Sequence, residues 1–177
     1  QSLYDMATSV VENAEKVEQQ KSEENKNIFS SLLEKTVTPE QLEKIKSEYG
    51  ENLGGNLFAI WGLSFKPGTD DMREAPSTTV IRELLKTGAS IVAYDPIAMK
   101  ESRKLFKSSI SYAQSPLEAL NGADALLILT EWKEFRSPDF ELIKAKMKGN
   151  LFIDGRNQFK SDFIENKGFK YLQIGVK

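Results

Sequence analysis

Short apolar segments that alternate with helical segments constrain the fold of this chain more than any other feature. From residue 56 onward, short and mainly apolar runs occur at 57–61, 91–94, 125–129, 151–153 and 171–174. Several of the intervals between them carry helix start and stop signals. The run at 125–129 is the most hydrophobic, as expected for a strand near the centre of a parallel sheet. The alternation predicts an α/β fold built on a doubly wound parallel sheet.

Local signals place three helices between these strands. Val80, Ile81, Leu84 and Leu85 recur at helical spacing and are followed by Gly88, which is typical of a helix end. Ser115 to Glu118 has the pattern of a capping box, and its helix is expected to end near Gly122. Ser137-Pro138 predicts the start of a third helix, with Gly149 as its end.

The first 50 residues have a different pattern, so we divide the chain into a helical region, 1–50, and a sheet domain, 51–177. Residues 1–35 are predicted to form a long amphipathic helix, and a second helix starts at Thr38-Pro39 and runs to Gly50. The apolar stripe of the long helix must pack on the sheet domain, on a domain absent from this chain, or on a second copy. We expect a dimer interface here. The first residue is Gln1 rather than Met, which suggests a piece of a longer protein.

Composition excludes several classes of chemistry. The chain has no cysteine and no histidine, so disulfides, thiolate nucleophiles, Cys/His zinc sites and imidazole catalysis are excluded within it. We predict no catalytic residue and no metal site in this chain. Its formal net charge of -2 gives no indication of nucleic-acid binding. No apolar run approaches the roughly 18 residues that cross a membrane, and no signal peptide is recognisable, so we expect a cytoplasmic protein without membrane association.

Two segments that follow predicted strands carry the candidate binding residues. Residues 62–77 (GLSFKPGTDDMREAPS) form a polar loop with Lys66 and Arg73, longer than the roughly 2–6 residues typical of such connections. Asp154 to Asn157 contains Arg156, whose guanidinium could bind a phosphate through two hydrogen bonds. Parallel strands bring both segments to one sheet edge, where ligands bind. The structural alternatives are a solvated loop in the first case and, in the second, a tight turn whose arginine pairs with Asp154 or with the carboxyl end of a helix.

These segments resemble the UDP-glucose/GDP-mannose dehydrogenase family. The match includes residues 62–77 and the motifs at 93–96 (AYDP), 129–132 (LTEW), 154–157 (DGRN) and 168–171 (GFKY). It covers roughly residues 55–177 in order and spacing and is looser over residues 1–35.

The resemblance implies a three-part enzyme. An amino-terminal Rossmann domain would bind NAD and carry a catalytic cysteine, a central helix would build the homodimer, and a second Rossmann-like domain would bind the UDP-sugar. This chain resembles the last two parts, so its fold is expected to be a Rossmann-like sheet preceded by a long helix. NAD would be bound mainly by the domain that this chain lacks, and the chain alone is predicted to be inactive.

The family's reaction is the oxidation of a sugar C6 alcohol to a carboxylate, in acidic-polysaccharide precursor synthesis. We expect UDP-glucose as the substrate. The alternatives are GDP-mannose or UDP-N-acetylmannosamine, or, in a different class, a non-catalytic nucleotide-binding or dimerisation module.

Residue roles follow from the resemblance position by position. Phe65 and Lys66 are expected at the substrate, Arg156 at the UDP-sugar, and Arg73 at the NAD bound by the other domain. Other polar and aromatic residues are expected to shape loops or to pack rather than to react; these are Asp70, Asp71 and Glu74, which would orient Arg73, and Asp95, Trp61 and Trp132.

Overall fold

The computed structural model describes residues 53–73 and 75–173, together with residues 9, 12–17 and 19–20 near the start of the chain. Those early residues are helical, in agreement with part of the first predicted helix, and all of them are exposed. The remainder of that helix, the predicted second helix, Glu74 and the last residues of the predicted final strand lie outside the described residues.

Six parallel strands form one sheet, which confirms the predicted α/β class. The strands are β1 (Leu57–Trp61), β2 (Ser90–Tyr94), β3 (Ser111–Tyr112), β4 (Ala125–Ile128), β5 (Leu151–Asp154) and β6 (Lys170–Gln173). Their spatial order is β3-β2-β1-β4-β5-β6. This is the order of a Rossmann fold, in which the direction of winding reverses between β1 and β4.

Five α-helices and one 3₁₀ helix connect these strands. The α-helices are α1 (Pro76–Lys86), α2 (Met99–Phe106), α3 (Pro116–Ala119), α4 (Phe140–Lys146) and α5 (Ser161–Asn166), and the 3₁₀ helix is Lys133–Phe135. The predicted cap of α3 is confirmed, because the amide of Glu118 donates to Ser115 Oγ at 3.1 Å. The predicted start of α4 at Ser137-Pro138 is wrong by two residues. Asp139 is the cap, and it accepts the amides of Glu141 and Leu142.

Hydrophobic clusters cover both faces of the sheet. Alternate residues of β1 belong to different clusters: Phe58 and Ile60 pack in one, and Ala59 and Trp61 in the other. This follows from the two-residue period of a strand, which sends successive side chains to opposite faces. All residues of β4 and β5 are buried, as expected for strands covered on both faces. The rigid sheet therefore fixes the positions of the loops that leave its carboxyl edge.

Candidate functional site

The loop that follows β1 starts at a position where only glycine fits. Gly62 has φ of +93°, and a Cβ atom there would lie 2.5 Å from the Cβ of Thr130 in the segment after β4. A side chain is therefore excluded both by the left-handed backbone and by Thr130. The amide of Gly62 donates to the carbonyl of Tyr94 at 2.9 Å, so the loop leaves the sheet in a fixed direction.

Asp95, the residue after β2, holds the beginning of this loop through hydrogen bonds. Its carboxylate is fully buried, and Oδ2 accepts the amides of Leu63 and Ser64 at 2.8 and 3.2 Å. Trp132 Nε1 donates to the same oxygen at 3.0 Å, while Oδ1 accepts the amides of Ile97 and Ala98 at 2.9 and 2.7 Å. Buried charge is stable where it is so fully hydrogen-bonded. The structural role predicted for Asp95 is therefore confirmed.

Two hydroxyl groups complete the attachment of the loop. Thr130 Oγ1 donates to the carbonyl of Ser64 at 2.7 Å, and Ser77 Oγ donates to the carbonyl of Leu63. The segments after β1, β2 and β4 are thus joined directly through side chains. Trp61 is buried, stacks on Phe135 with ring centroids 5.1 Å apart, and is a packing residue as predicted.

The candidate substrate residues of this loop, Phe65 and Lys66, are presented to solvent. The Phe65 side chain is 46% exposed although it is large and apolar, and its amide donates to the carbonyl of Asp71 at 2.8 Å. Lys66 is exposed, and within the described residues its ammonium donates no hydrogen bond. An anchored backbone that exposes an aromatic ring and a cation is suited to contact an anionic ligand.

Arg73, the candidate cofactor residue, is held by Asp71. Its Nε and Nη2 atoms both donate to the Asp71 carboxylate at 3.0 Å, and its backbone amide donates to Asp71 Oδ1 at 2.9 Å. The bonds from Arg73 lower the pKa of Asp71 to about 2, and Asp71 in turn raises the pKa of Arg73. Asp71 thus orients Arg73, as predicted, while the arginine side chain stays 89% exposed.

Arg156, after β5, pairs with a residue whose role the sequence did not indicate. Its Nε and Nη2 atoms donate to the two carboxylate oxygens of Glu131, which follows β4, and the Nη2 to Oε1 distance is 3.0 Å. Hydrogen bonds from Arg156 lower the pKa of Glu131, and those bonds raise the pKa of Arg156. The alternative that the guanidinium of Arg156 pairs with Asp154 is wrong. Only the backbone amide of Arg156 donates to that carboxylate, at 2.9 Å.

An open cavity of about 500 Å³ lies where the segments after β4 and β5 meet. Among its lining residues are Glu131, Arg136, Arg156 and Gln158. Arg136 also contributes to the lowered pKa of Glu131 through its charge. The cavity therefore combines two guanidinium groups with one carboxylate, an excess of positive charge that favours an anionic ligand.

The structure places the four predicted site residues at the carboxyl edge of the sheet, but the four do not share one common partner among the described residues; they are Phe65, Lys66, Arg73 and Arg156. Arg156 reaches the segment after β4 through Glu131, and the Phe65–Lys66 loop reaches the same segment through Thr130. Glu131, Arg136 and Gln158 were missed as site residues. Two sequence signals could have indicated Glu131: its position directly after the most hydrophobic strand, and its place in the motif 129–132.

The first turn of this sheet does not fit a dinucleotide. The segment after β1 lacks the glycine-rich fingerprint that places a pyrophosphate on a helix amino terminus. The acidic residue at the end of β2, which holds a ribose in dinucleotide-binding domains, is Asp95 here, and its carboxylate is occupied by the donors named above.

The described part of the chain lacks two further features. No helix there is long and apolar enough to span a membrane. Within the same residues, no group of three or more carboxylates is placed to hold a metal ion.

Comparison with known proteins gives a consistent result. Residues 59–161 match the model of the UDP-glucose/GDP-mannose dehydrogenase family, UDP binding domain. A UDP-glucose 6-dehydrogenase of Rhizobium meliloti is 42% identical over 132 residues, which cover 75% of this chain and 30% of the relative. A UDP-glucose 6-dehydrogenase of Pseudomonas aeruginosa is 43% identical over 126 residues, 68% of this chain and 28% of the relative.

A solved structure shows the same fold. The UDP-glucose dehydrogenase from the archaeon Pyrobaculum islandicum superposes with a TM-score of 0.63 at 28% identity, covering 88% of this chain and 30% of that chain. The present chain thus spans less than a third of the length of each of these three proteins.

Proposed function

This chain belongs to the UDP-glucose/GDP-mannose dehydrogenase family, and on that premise we propose that it is the nucleotide-sugar-binding portion of a UDP-glucose 6-dehydrogenase. The complete enzyme would oxidise UDP-glucose to UDP-glucuronate with NAD. Two relatives with that name, 42% and 43% identical to the chain, support the choice of substrate.

The observation that carries the proposal is the arrangement of Arg156 at the sheet edge. Glu131 occupies the Nε and Nη2 side of the guanidinium, so the two Nη1 hydrogens and one Nη2 hydrogen remain for a ligand. An arginine held on one side and open on the other is suited to bind a diphosphate with charge-assisted hydrogen bonds. Lys66, on the anchored loop after β1, supplies a further cation, and Phe65 supplies an apolar surface beside it.

Arg73 has a separate role in this proposal. It would reach across the cleft to an NAD molecule that is bound mainly by the missing amino-terminal domain. Its bidentate bond to Asp71 and its high exposure support this role, because they hold a cation in a defined direction outside the domain surface. The occupied Asp95 carboxylate and the absent fingerprint support a binding site for NAD elsewhere in the enzyme.

The division of the chain is part of the same proposal. Residues 51–177 form the UDP-sugar domain, and residues 1–50 contribute a helical region through which the protein forms a homodimer. Because the chain contains no cysteine, it cannot supply the nucleophile for a thiohemiacetal and would be inactive alone. The complete enzyme would act in the cytoplasm.

A second substrate within the family is the main competing proposal. The family model that matches residues 59–161 includes GDP-mannose dehydrogenases as well as UDP-glucose dehydrogenases. A guanine base and a uracil base differ in size and hydrogen-bonding edge, so binding measurements with both nucleotides distinguish the two. The alternative from another class is a non-catalytic nucleotide-binding or dimerisation module, and a module for dimerisation alone would bind neither nucleotide.

Substitution of the two candidate substrate cations tests the proposal. Lys66→Ala and Arg156→Ala should each weaken UDP binding by about 1–3 kcal/mol, the range for a lost charge-assisted hydrogen bond. Lys148→Ala is the matched control, because Lys148 is an exposed cation whose amide bonds Ala123 beside the amino end of β4. The UDP affinity of Lys148→Ala should equal that of the parent chain. Parent-like affinity in Lys66→Ala and Arg156→Ala would contradict the assignment.

A further inference from the structure

The side chain of Gln158 has an unusual environment in the described part of the chain. Both polar atoms of its carboxamide are buried and have no hydrogen-bond partner, a state shared there only by the hydroxyl of Thr78. A glutamine carboxamide can donate two hydrogen bonds and accept two. Buried polar groups in native proteins nearly always have a hydrogen-bond partner, so two buried atoms without one require an explanation.

The backbone around Gln158 cannot move easily to relieve this. Asp154 is fully buried and accepts the amides of Arg156 at 2.9 Å and of Gln158 at 2.6 Å. Tyr171 donates its hydroxyl to the same carboxylate at 2.6 Å. The next carbonyl, that of Phe159, accepts Gln173 Nε2 at 2.9 Å. The backbone is therefore fixed on both sides of Gln158, and only rotation of the side chain can bring its carboxamide to the cavity that the residue lines.

The surroundings of the carboxamide indicate which kind of ligand would pair with it. Gln158 lines the same cavity of about 500 Å³ as Arg136 and Arg156. The guanidinium groups favour a phosphate, whereas a carboxamide favours a neutral group that offers one donor and one acceptor. A nucleotide sugar carries both kinds of group a few bonds apart.

We propose that Gln158 is a ligand-contacting and specificity-determining residue, whose carboxamide turns from its buried position towards the cavity and binds a neutral donor–acceptor group of the nucleotide sugar beside the phosphate at Arg156. The inference rests on the proposed function, since it requires a phosphate at Arg156. The imide edge of the base, a hydroxyl of the ribose and a hydroxyl of the hexose share this hydrogen-bonding chemistry. UDP carries the first two, and UDP-glucose carries all three.

Two matched glutamine variants test the proposal in the full chain. Gln158→Met removes the polar atoms at similar length, and since these atoms have no partner, the urea midpoint should equal or exceed that of the parent. UDP or UDP-glucose should bind about five-fold more weakly, the factor for one net hydrogen bond. Gln114→Met is the control, because Gln114 is an exposed glutamine after β3, at the far end of the sheet from β5, so both its urea midpoint and its affinity should stay unchanged.

A side-chain amide measurement separates the possible outcomes. The Gln158 side-chain NH₂ resonances and the Arg156 Nε resonance are followed during titration with UDP and then with UDP-glucose. A shift at both residues with UDP supports contact with the base or the ribose, and a Gln158 shift with UDP-glucose alone supports contact with the hexose. A shift at Arg156 without any at Gln158, together with parent-like affinity in Gln158→Met, overturns the inference and leaves the proposed function standing. The absence of both shifts overturns both.

Discussion

Replacing Asp95 with asparagine should loosen the loop that presents Phe65 and Lys66. The two Asp95 oxygens accept different donors: Oδ2 takes the amides of Leu63 and Ser64, and Oδ1 takes those of the residues that lead into α2. Asparagine keeps only one acceptor oxygen and places an NH₂ group against the other set of donors. At least two backbone amides therefore lose their partner in either orientation of the side chain.

The size of the effect follows from the number of donors left unpaired. Each buried donor without a partner costs about 1–3 kcal/mol, so two of them give about 2–6 kcal/mol. Removing a buried negative charge offsets part of this cost. We therefore expect Asp95→Asn to lower the free energy of unfolding by about 3 kcal/mol. UDP affinity should fall as well, because the amides that fix the loop after β1 are among those affected.

Urea denaturation and UDP titration measure both consequences. The control is Asp124→Asn, at the opposite edge of the sheet, where Asp124 Oδ2 accepts the amide of Leu57 at 2.8 Å. An asparagine oxygen can keep that bond, so the control should lose less stability and keep its UDP affinity. If Asp95→Asn unfolds within 1 kcal/mol of the parent, a change below the range for a single unpaired donor, the reasoning about this carboxylate is refuted.

Two further predictions concern the loop after β1. Gly62→Ala should destabilise the chain by more than 3 kcal/mol, because it adds a steric clash to the roughly 1–2 kcal/mol cost of a left-handed backbone. Gly68→Ala should cost only the roughly 1–2 kcal/mol of the left-handed backbone, since nothing lies within 4 Å of its Cβ position. Urea denaturation compares the two, and equal losses would contradict the close contact at Gly62. Arg73→Ala should raise the pKa of Asp71 from about 2 towards 3.8, as followed by carboxyl-carbon NMR. Because Arg73 depresses the pKa of Asp71 in the folded state, the stabilising effect of this pair is present above pH 3.8 and is lost as the pH falls towards 2. An unchanged titration midpoint of Asp71 in Arg73→Ala would refute the pairing.

The sequence predicted the parts of the fold that have local signals. The central strands are continuous apolar runs, and Ser115 caps its helix as expected. The helices α2 and α5 were missed because their capping residues, Ala98 and Lys160, make no side-chain cap bond and carry no start signal. The strand β3 has only two residues, Ser111 and Tyr112, too few to show a periodic pattern.

The site was predictable only in its positions along the chain. Lys66 and Arg156 could be selected as candidates because they follow strands, and strand ends meet at one edge. Their partners could not be found in the same way. The bond from Arg156 to Glu131 joins residues 25 apart, and the bond from Leu63 to Asp95 joins residues 32 apart. Such contacts depend on strand order, which no local pattern encodes.

Calorimetric titration of the parent chain with UDP, UDP-glucose, GDP-mannose and NAD, at one salt concentration, tests the central claim most directly. The account predicts saturable binding of UDP and UDP-glucose, with GDP-mannose and NAD much weaker. Under the proposed function, the cations at the carboxyl edge belong to this chain and the dinucleotide site belongs to another part of the enzyme. Binding of NAD that is tighter than binding of UDP, or no binding of either UDP compound, would contradict it.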